Sequence, residues 1–113
     1  MATTDLSNYK ALYLQTAKEY AANLSAGCES LEKNILDKDA LNQLHISSHS
    51  LKSQSQVMGH ADIANICLNI EKISKDAMDG IVGLTDEIIT NIKKSVEELG
   101  LLLKELDAKT SSA

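Results

Sequence analysis

Phenylalanine, tryptophan, proline and arginine are all missing from these 113 residues. Without proline, the strongest interrupter of a helix interior is gone. Without Phe or Trp, a core has to come almost wholly from Leu, Ile, Val and Ala; the three tyrosines, Tyr9, Tyr13 and Tyr20, all lie near the N-terminus. All eleven basic residues are lysine and the net charge is −5. Nucleic-acid binders rely on a basic excess, often with arginine forks or aromatic stacking platforms. Neither nucleic acid nor an anionic membrane is therefore expected as a partner. Cysteine is scarce as well: Cys28 and Cys67 stand alone, with no C-x-x-C spacing. They read as small buried hydrophobes, which suits a reducing compartment better than a disulfide framework does. No apolar run approaches membrane-spanning length, and "MATTDLSNYK" has neither a charged leader nor an apolar signal core. The expectation is a soluble cytoplasmic protein.

What is present is helix-forming. Hydrophobic residues make up 43% of the chain, enough for a modest core in one domain spanning 1–113. Apolar residues recur by threes and fours in four segments, predicting helices over about 5–34, 39–58, 61–78 and 84–106. The first carries Leu6, Tyr9, Tyr13, Ala17, Tyr20, Leu24, Leu31 and Ile35, with "TTD" as a start signal and Gly27 as a point that could kink it. The second carries Leu41, Leu44, Ser48, Leu51, Ser55 and Met58. Its two serines mark either close approach of a neighbouring helix or hydroxyls bonded back to their own backbone. Asp37 or Asp39 can cap this helix and Gly59 can end it. The third carries Ile63, Ile66, Cys67, Ile70, Ile73 and Ala77; the fourth carries Leu84, Ile88, Ile92, Val96, Leu99, Leu103 and Leu106. "GIVG" links them, and 107–113 reads as a frayed tail. Short connections make this an all-α, antiparallel, up-down-up-down four-helix bundle.

One stretch of the second helix stands out: "HISSHSLK", residues 45–52. Relative to the centre of the apolar stripe, His49 lies at roughly 130°, Gln56 at roughly 110°, His45 at roughly 90° and Lys52 at roughly 70°. His49 should face solvent, and Ser53 beside it leaves the approach uncluttered. A metal reading has little to draw on. "HISSH" has Ile where a zincin motif needs Glu, there is no Glu-x-x-His pair, and His60 is the one other histidine. The plain alternative is a solvated face that happens to carry two histidines and a lysine.

A longer string, "HSLKSQSQVMGHADIANICLNIE" over 49–71, resembles the signature of histidine-phosphotransfer domains. In that family His-x-Leu-Lys-Gly is followed by Gly at the tenth position after the His; here these positions are His49, Leu51, Lys52, Ser53 and Gly59. The Met58–Gly59 pair and Glu71 are similar to the phosphoacceptor domain of chemotaxis-type histidine kinases. Ser53 replaces the family's common Gly, and Leu68 stands where those kinases often carry a second histidine. The resemblance implies His49 as phosphoacceptor, Lys52 as the cation beside the phosphoryl group and Glu71 as the carboxylate that orients the imidazole.

A neutral imidazole, with its ordinary pKa near 6.5, is a competent nucleophile at neutral pH. Transfer of a phosphoryl group to it is mainly positioning and electrostatics. Gln56 could add a hydrogen bond to the phosphoryl group or be a plain exposed residue, and Glu71 could instead pair with Lys75 at i+4. His45, Ser53, Ile46, Val57 and Leu68 are the candidate partner contacts, although the apolar three could equally pack on the first helix. The expected function is that of a monomeric phosphocarrier, not a turnover enzyme. Its partners would be a response-regulator receiver or a sensor histidine kinase. No cofactor is expected on the chain, and Mg²⁺ only on the partner. A pseudo-phosphotransfer adaptor and a metal-binding bundle are the alternatives.

Overall fold

The computed structural model of the protein describes residues 6–111, with side chains from 8 to 109. It consists of α1 (Leu6–Lys33), α2 (Lys38–Val57), α3 (Ala61–Met78) and α4 (Asp86–Ser111), with no strand among the described residues. Each helix packs on its neighbours in sequence and α1 closes the ring on α4. The result is the expected four-helix bundle, 52 Å long and 23 by 20 Å across. Among the described residues no helix is long and apolar enough to cross a membrane.

The ends of the helices follow from local chemistry. Asp37 caps α2, its Oδ1 accepting from the Ala40 amide at 3.0 Å, after Asn34 turns the chain by accepting from the Leu36 amide. At the far end of α2, Gly59 adopts φ +81°, and Gly80 does the same after α3 with φ +76°. That left-handed conformation suits glycine. It lets the following amides return to the last turn: His60 donates to the Ser55 carbonyl and Ile81 to the Asp76 carbonyl, the Schellman pattern. The expected "TTD" start signal lies outside the described residues.

The core matches the predicted stripes closely. Leu24, Leu31, Leu44, Leu51, Ile70, Ile92 and Leu99 are among its fully enclosed side chains. Both readings of the stripe serines occur, because Ser48 bonds back to the Leu44 carbonyl at 2.6 Å while Ser55 meets the Tyr13 hydroxyl across the α1–α2 seam at 2.7 Å.

Several expectations need correction. Gly27 does not interrupt α1; it is a contact point, since a Cβ there would lie 3.0 Å from Leu44 Cδ2 and 3.3 Å from the Ala40 carbonyl oxygen. Tyr9 is 55% exposed rather than core. The Tyr13–Ser55 bond sets α1 against the last turn of α2, so a residue one turn earlier has run past most of that partner. Helix α4 begins at Asp86, not Leu84, because the Thr85 hydroxyl accepts from the Ile88 amide at 3.1 Å as an N-cap. It also continues through 107–111 instead of fraying. No breaker follows Leu106, and Asp107 is tied to Lys18 of α1 at 2.6 Å.

Candidate functional site

His49 lies ten residues before the Gly59 reversal and Glu71 twelve after it, which puts them level on the antiparallel helices α2 and α3. The His49 side chain is 57% exposed, whereas that of Glu71 is only 14% exposed. Nδ1 of His49 and Oε2 of Glu71 are 2.5 Å apart. The second carboxylate oxygen is also engaged: Lys52, one turn along from His49, donates to Oε1 at 2.6 Å. Burial would push the Glu71 carboxyl up. The hydrogen bonds and positive charge supplied by Lys52 and His49 outweigh it, and the group titrates below the ordinary carboxylate range. A carboxylate held charged beside Nδ1 favours the tautomer with its proton on Nδ1, which leaves the Nε2 lone pair free.

The other sequence candidates surround this centre. Lys52 is inclined toward the seam, 18% exposed, as its position near the stripe requires. The alternative in which Glu71 is an exposed carboxylate paired with Lys75 is overturned, since Lys75 instead binds Asp79 at 3.0 Å. Ser53 and Gln56 are exposed on the His49 side of α2, and the Ser53 hydroxyl donates to the His49 carbonyl at 3.1 Å. Ile46, Val57 and Leu68, left open between surface and packing, are 53%, 86% and 46% exposed. His45 is half-buried, its ring 6.5 Å from that of His49. His60 is turned to another task, stacking on Tyr13 with ring centroids 5.1 Å apart. Among the described residues no three His, Cys, Asp or Glu side chains gather to hold a metal ion.

Cys67, one turn before Glu71, is fully enclosed. Burial and the nearby Glu71 charge push its thiol up to about 12, and burial pushes Cys28 up to about 11. Neither is a nucleophile at neutral pH.

The sequence profile of the Hpt domain family matches residues 8–109. The chain belongs to the Hpt domain family. A curated relative, the chemotaxis protein CheA of Bacillus subtilis (strain 168), is 20% identical over 102 residues, 90% of this chain and 15% of that protein. The chain therefore spans only a small part of that relative. Among solved structures, the CheA phosphotransferase domain from Thermotoga maritima aligns with a TM-score of 0.84 at 24% identity, covering 91% of this chain and 98% of the other. A solution structure of the histidine phosphotransfer domain of CheA aligns at 0.86, also with 24% identity, over 94% and 80% of the two chains. Likeness at these identities is likeness of fold.

In this Hpt domain the reading of the sequence missed a contribution from α1. Tyr9, Leu12, Tyr13 and Thr16 join Ser53, Gln54, Val57 and Met58 around an open groove of about 420 Å³ beginning one turn from His49. Leu12 is 60% exposed. Its position off the α1 stripe was the available signal, but a stripe read helix by helix does not say which neighbouring surface an outlying residue joins.

Proposed function

We propose that this Hpt domain is a phosphocarrier of two-component signalling. It takes a phosphoryl group on Nε2 of His49 and exchanges it with an aspartate of a response-regulator receiver, or accepts it from a sensor histidine kinase. The observation that carries the proposal is an exposed imidazole whose Nδ1 is engaged by a charged, half-buried carboxylate, with the opposite ring edge left for chemistry. In the transfer, the Nε2 lone pair forms an N–P bond while the P–O bond to the aspartyl carboxylate breaks. That carboxylate departs with the bonding pair, and the Nδ1 proton stays shared with Glu71. Lys52 spends one of its three donors on Glu71, leaving others to offset phosphoryl charge; Gln56 is a further donor in reach of a docked partner.

The chain carries the group without turning over substrate alone. The receiver supplies the Mg²⁺ and acidic cluster, or the kinase supplies the nucleotide site. Docking uses the apolar ground around His49: Ile46, Leu68 and Val57, continued by Tyr9 and Leu12 across the groove, with small Ser53 keeping the approach open.

Wild type and His49→Gln are to be treated with phosphoramidate and with phosphorylated receivers, then mapped by mass spectrometry at neutral to alkaline pH. The expected result is one phosphoryl group on His49, exchangeable with a receiver and lost in the variant. A folded bundle that stays unlabelled, or label spread equally over His45 and His60, would replace this reading with that of an adaptor that binds a receiver without carrying phosphate.

A further inference from the structure

Among the described residues, the one buried side-chain nitrogen or oxygen without a hydrogen-bond partner is Nδ1 of His45. Buried polar atoms in folded proteins are nearly always satisfied, so such an exception calls for a reason. The ring it belongs to lies beside that of His49, with centroids 6.5 Å apart and planes inclined by 24°. This separation is at the long end of ring contacts, which span about 4.5–7 Å, so the two rings do not close on each other. Residues four apart on a helix share a face, which sets the ring of His49 beside that of His45.

A neutral imidazole bears one proton. Placed on Nδ1 of His45, it would be a buried donor with no acceptor, the rarer and costlier kind of orphan. The proton therefore belongs on Nε2, at the ring edge away from the buried nitrogen. Lys52, the cation that the motif assigns to the phosphoryl group, is already bound to Glu71. The ring of His45 has no such commitment.

We propose that His45 is a positioning residue for the phosphoryl group, its Nε2–H donating a hydrogen bond to a phosphoryl oxygen carried on Nε2 of His49. The proposal rests on His49 being the acceptor. Donation to the phosphoryl oxygens withholds electron density that a loose, metaphosphate-like departure draws on. The consequence is a longer-lived phosphohistidine.

The test uses the full chain as wild type, His45→Phe and His45→Gln. Phenylalanine keeps a ring at the position and removes the donor; glutamine restores an N–H donor at similar reach. Each is loaded on His49 with phosphoramidate, whose P–N bond breaks as the new one forms and ammonia leaves. The reagent is then removed, loss of label is followed by ³¹P NMR, and thermal melts check that each variant is folded. The expected lifetime is about three- to tenfold shorter in the Phe variant, as for loss of one ordinary hydrogen bond, and largely recovered in the Gln variant. In the wild type, ¹⁵N NMR of His45 should show a bare Nδ1 and a protonated Nε2 whose signal moves on phosphorylation, while that of His60 does not. Equal lifetimes in folded wild type and Phe variant, or a His45 proton on Nδ1, overturn this proposal alone. Absence of label on His49 in the wild type overturns the acceptor reading and this one with it.

Discussion

Replacing Gly27 with alanine tests the close approach of α1 and α2. A methyl there meets Leu44 Cδ2 at 3.0 Å, Leu44 Cγ at 3.2 Å and the Ala40 carbonyl oxygen at 3.3 Å. Leu44 is fully enclosed and Ala40 O is helix backbone, so neither can swing aside without moving α2. Alanine gains about 1 kcal/mol of helix propensity over glycine, but forcing a methylene into a packed seam costs roughly 1–3 kcal/mol. The net expectation for Gly27→Ala is a loss of about 1 kcal/mol. Gly100, in the exposed middle of α4, is the control, because a Cβ there meets nothing within 4 Å. Gly100→Ala should therefore stabilise by roughly 0.5–1 kcal/mol. Urea unfolding of both variants measures the difference, with unchanged m-values confirming that the end states are comparable. Gly27→Ala stabilising as much as Gly100→Ala would refute the close approach and the α1–α2 packing built on it.

The Tyr13–Ser55 hydrogen bond should show as coupling in a double-mutant cycle. Tyr13→Phe and Ser55→Ala each cost about 1–2 kcal/mol in denaturant unfolding, and the pair should cost less than their sum by about 0.5–1.5 kcal/mol; strict additivity would mean that the hydroxyls do not meet. Glu71 makes a prediction in pH. Its folded carboxyl titrates below its reference value of 4.5, so its contribution is fully present above that value and disappears as pH falls through the lowered folded value. Glu71→Gln should therefore be less stable by roughly 1–2 kcal/mol at neutral pH. The gap should close on acidification, as read by denaturant midpoints along a pH series. Parallel curves for wild type and variant would show that the carboxylate gains nothing from Lys52 and His49.

The architecture was legible because nothing in the sequence competes with it. Aliphatic residues at steps of three and four, no proline, and glycines at the turns lead to one arrangement, and the buried set of α2 is the predicted stripe almost residue for residue. The errors fall at ends and seams. Thr85 takes over as N-cap and moves the start of α4 two residues past the expected Leu84, and the Asp107–Lys18 contact supports a last turn that composition alone marked as fraying. Tyr9 is apolar and in phase, yet exposed, because phase does not report how far the neighbouring helix extends.

The site divides along the same line. The outward aim of His49 follows from its angle on α2 alone. The pairing of Glu71 does not, since it depends on the register that Gly59 sets between α2 and α3. Within α3 the lysine one turn along the same face is Lys75, and helix-by-helix reasoning points there. The arrangement that forms instead has a physical logic that extends to function. A carboxylate as enclosed as Glu71 needs a positive neighbour to remain charged. Lys52 supplies it on one carboxylate oxygen, leaving the other to meet Nδ1 of His49. The lysine of the motif thus reaches His49 through the carboxylate that the two share, in the same contact that joins α2 to α3.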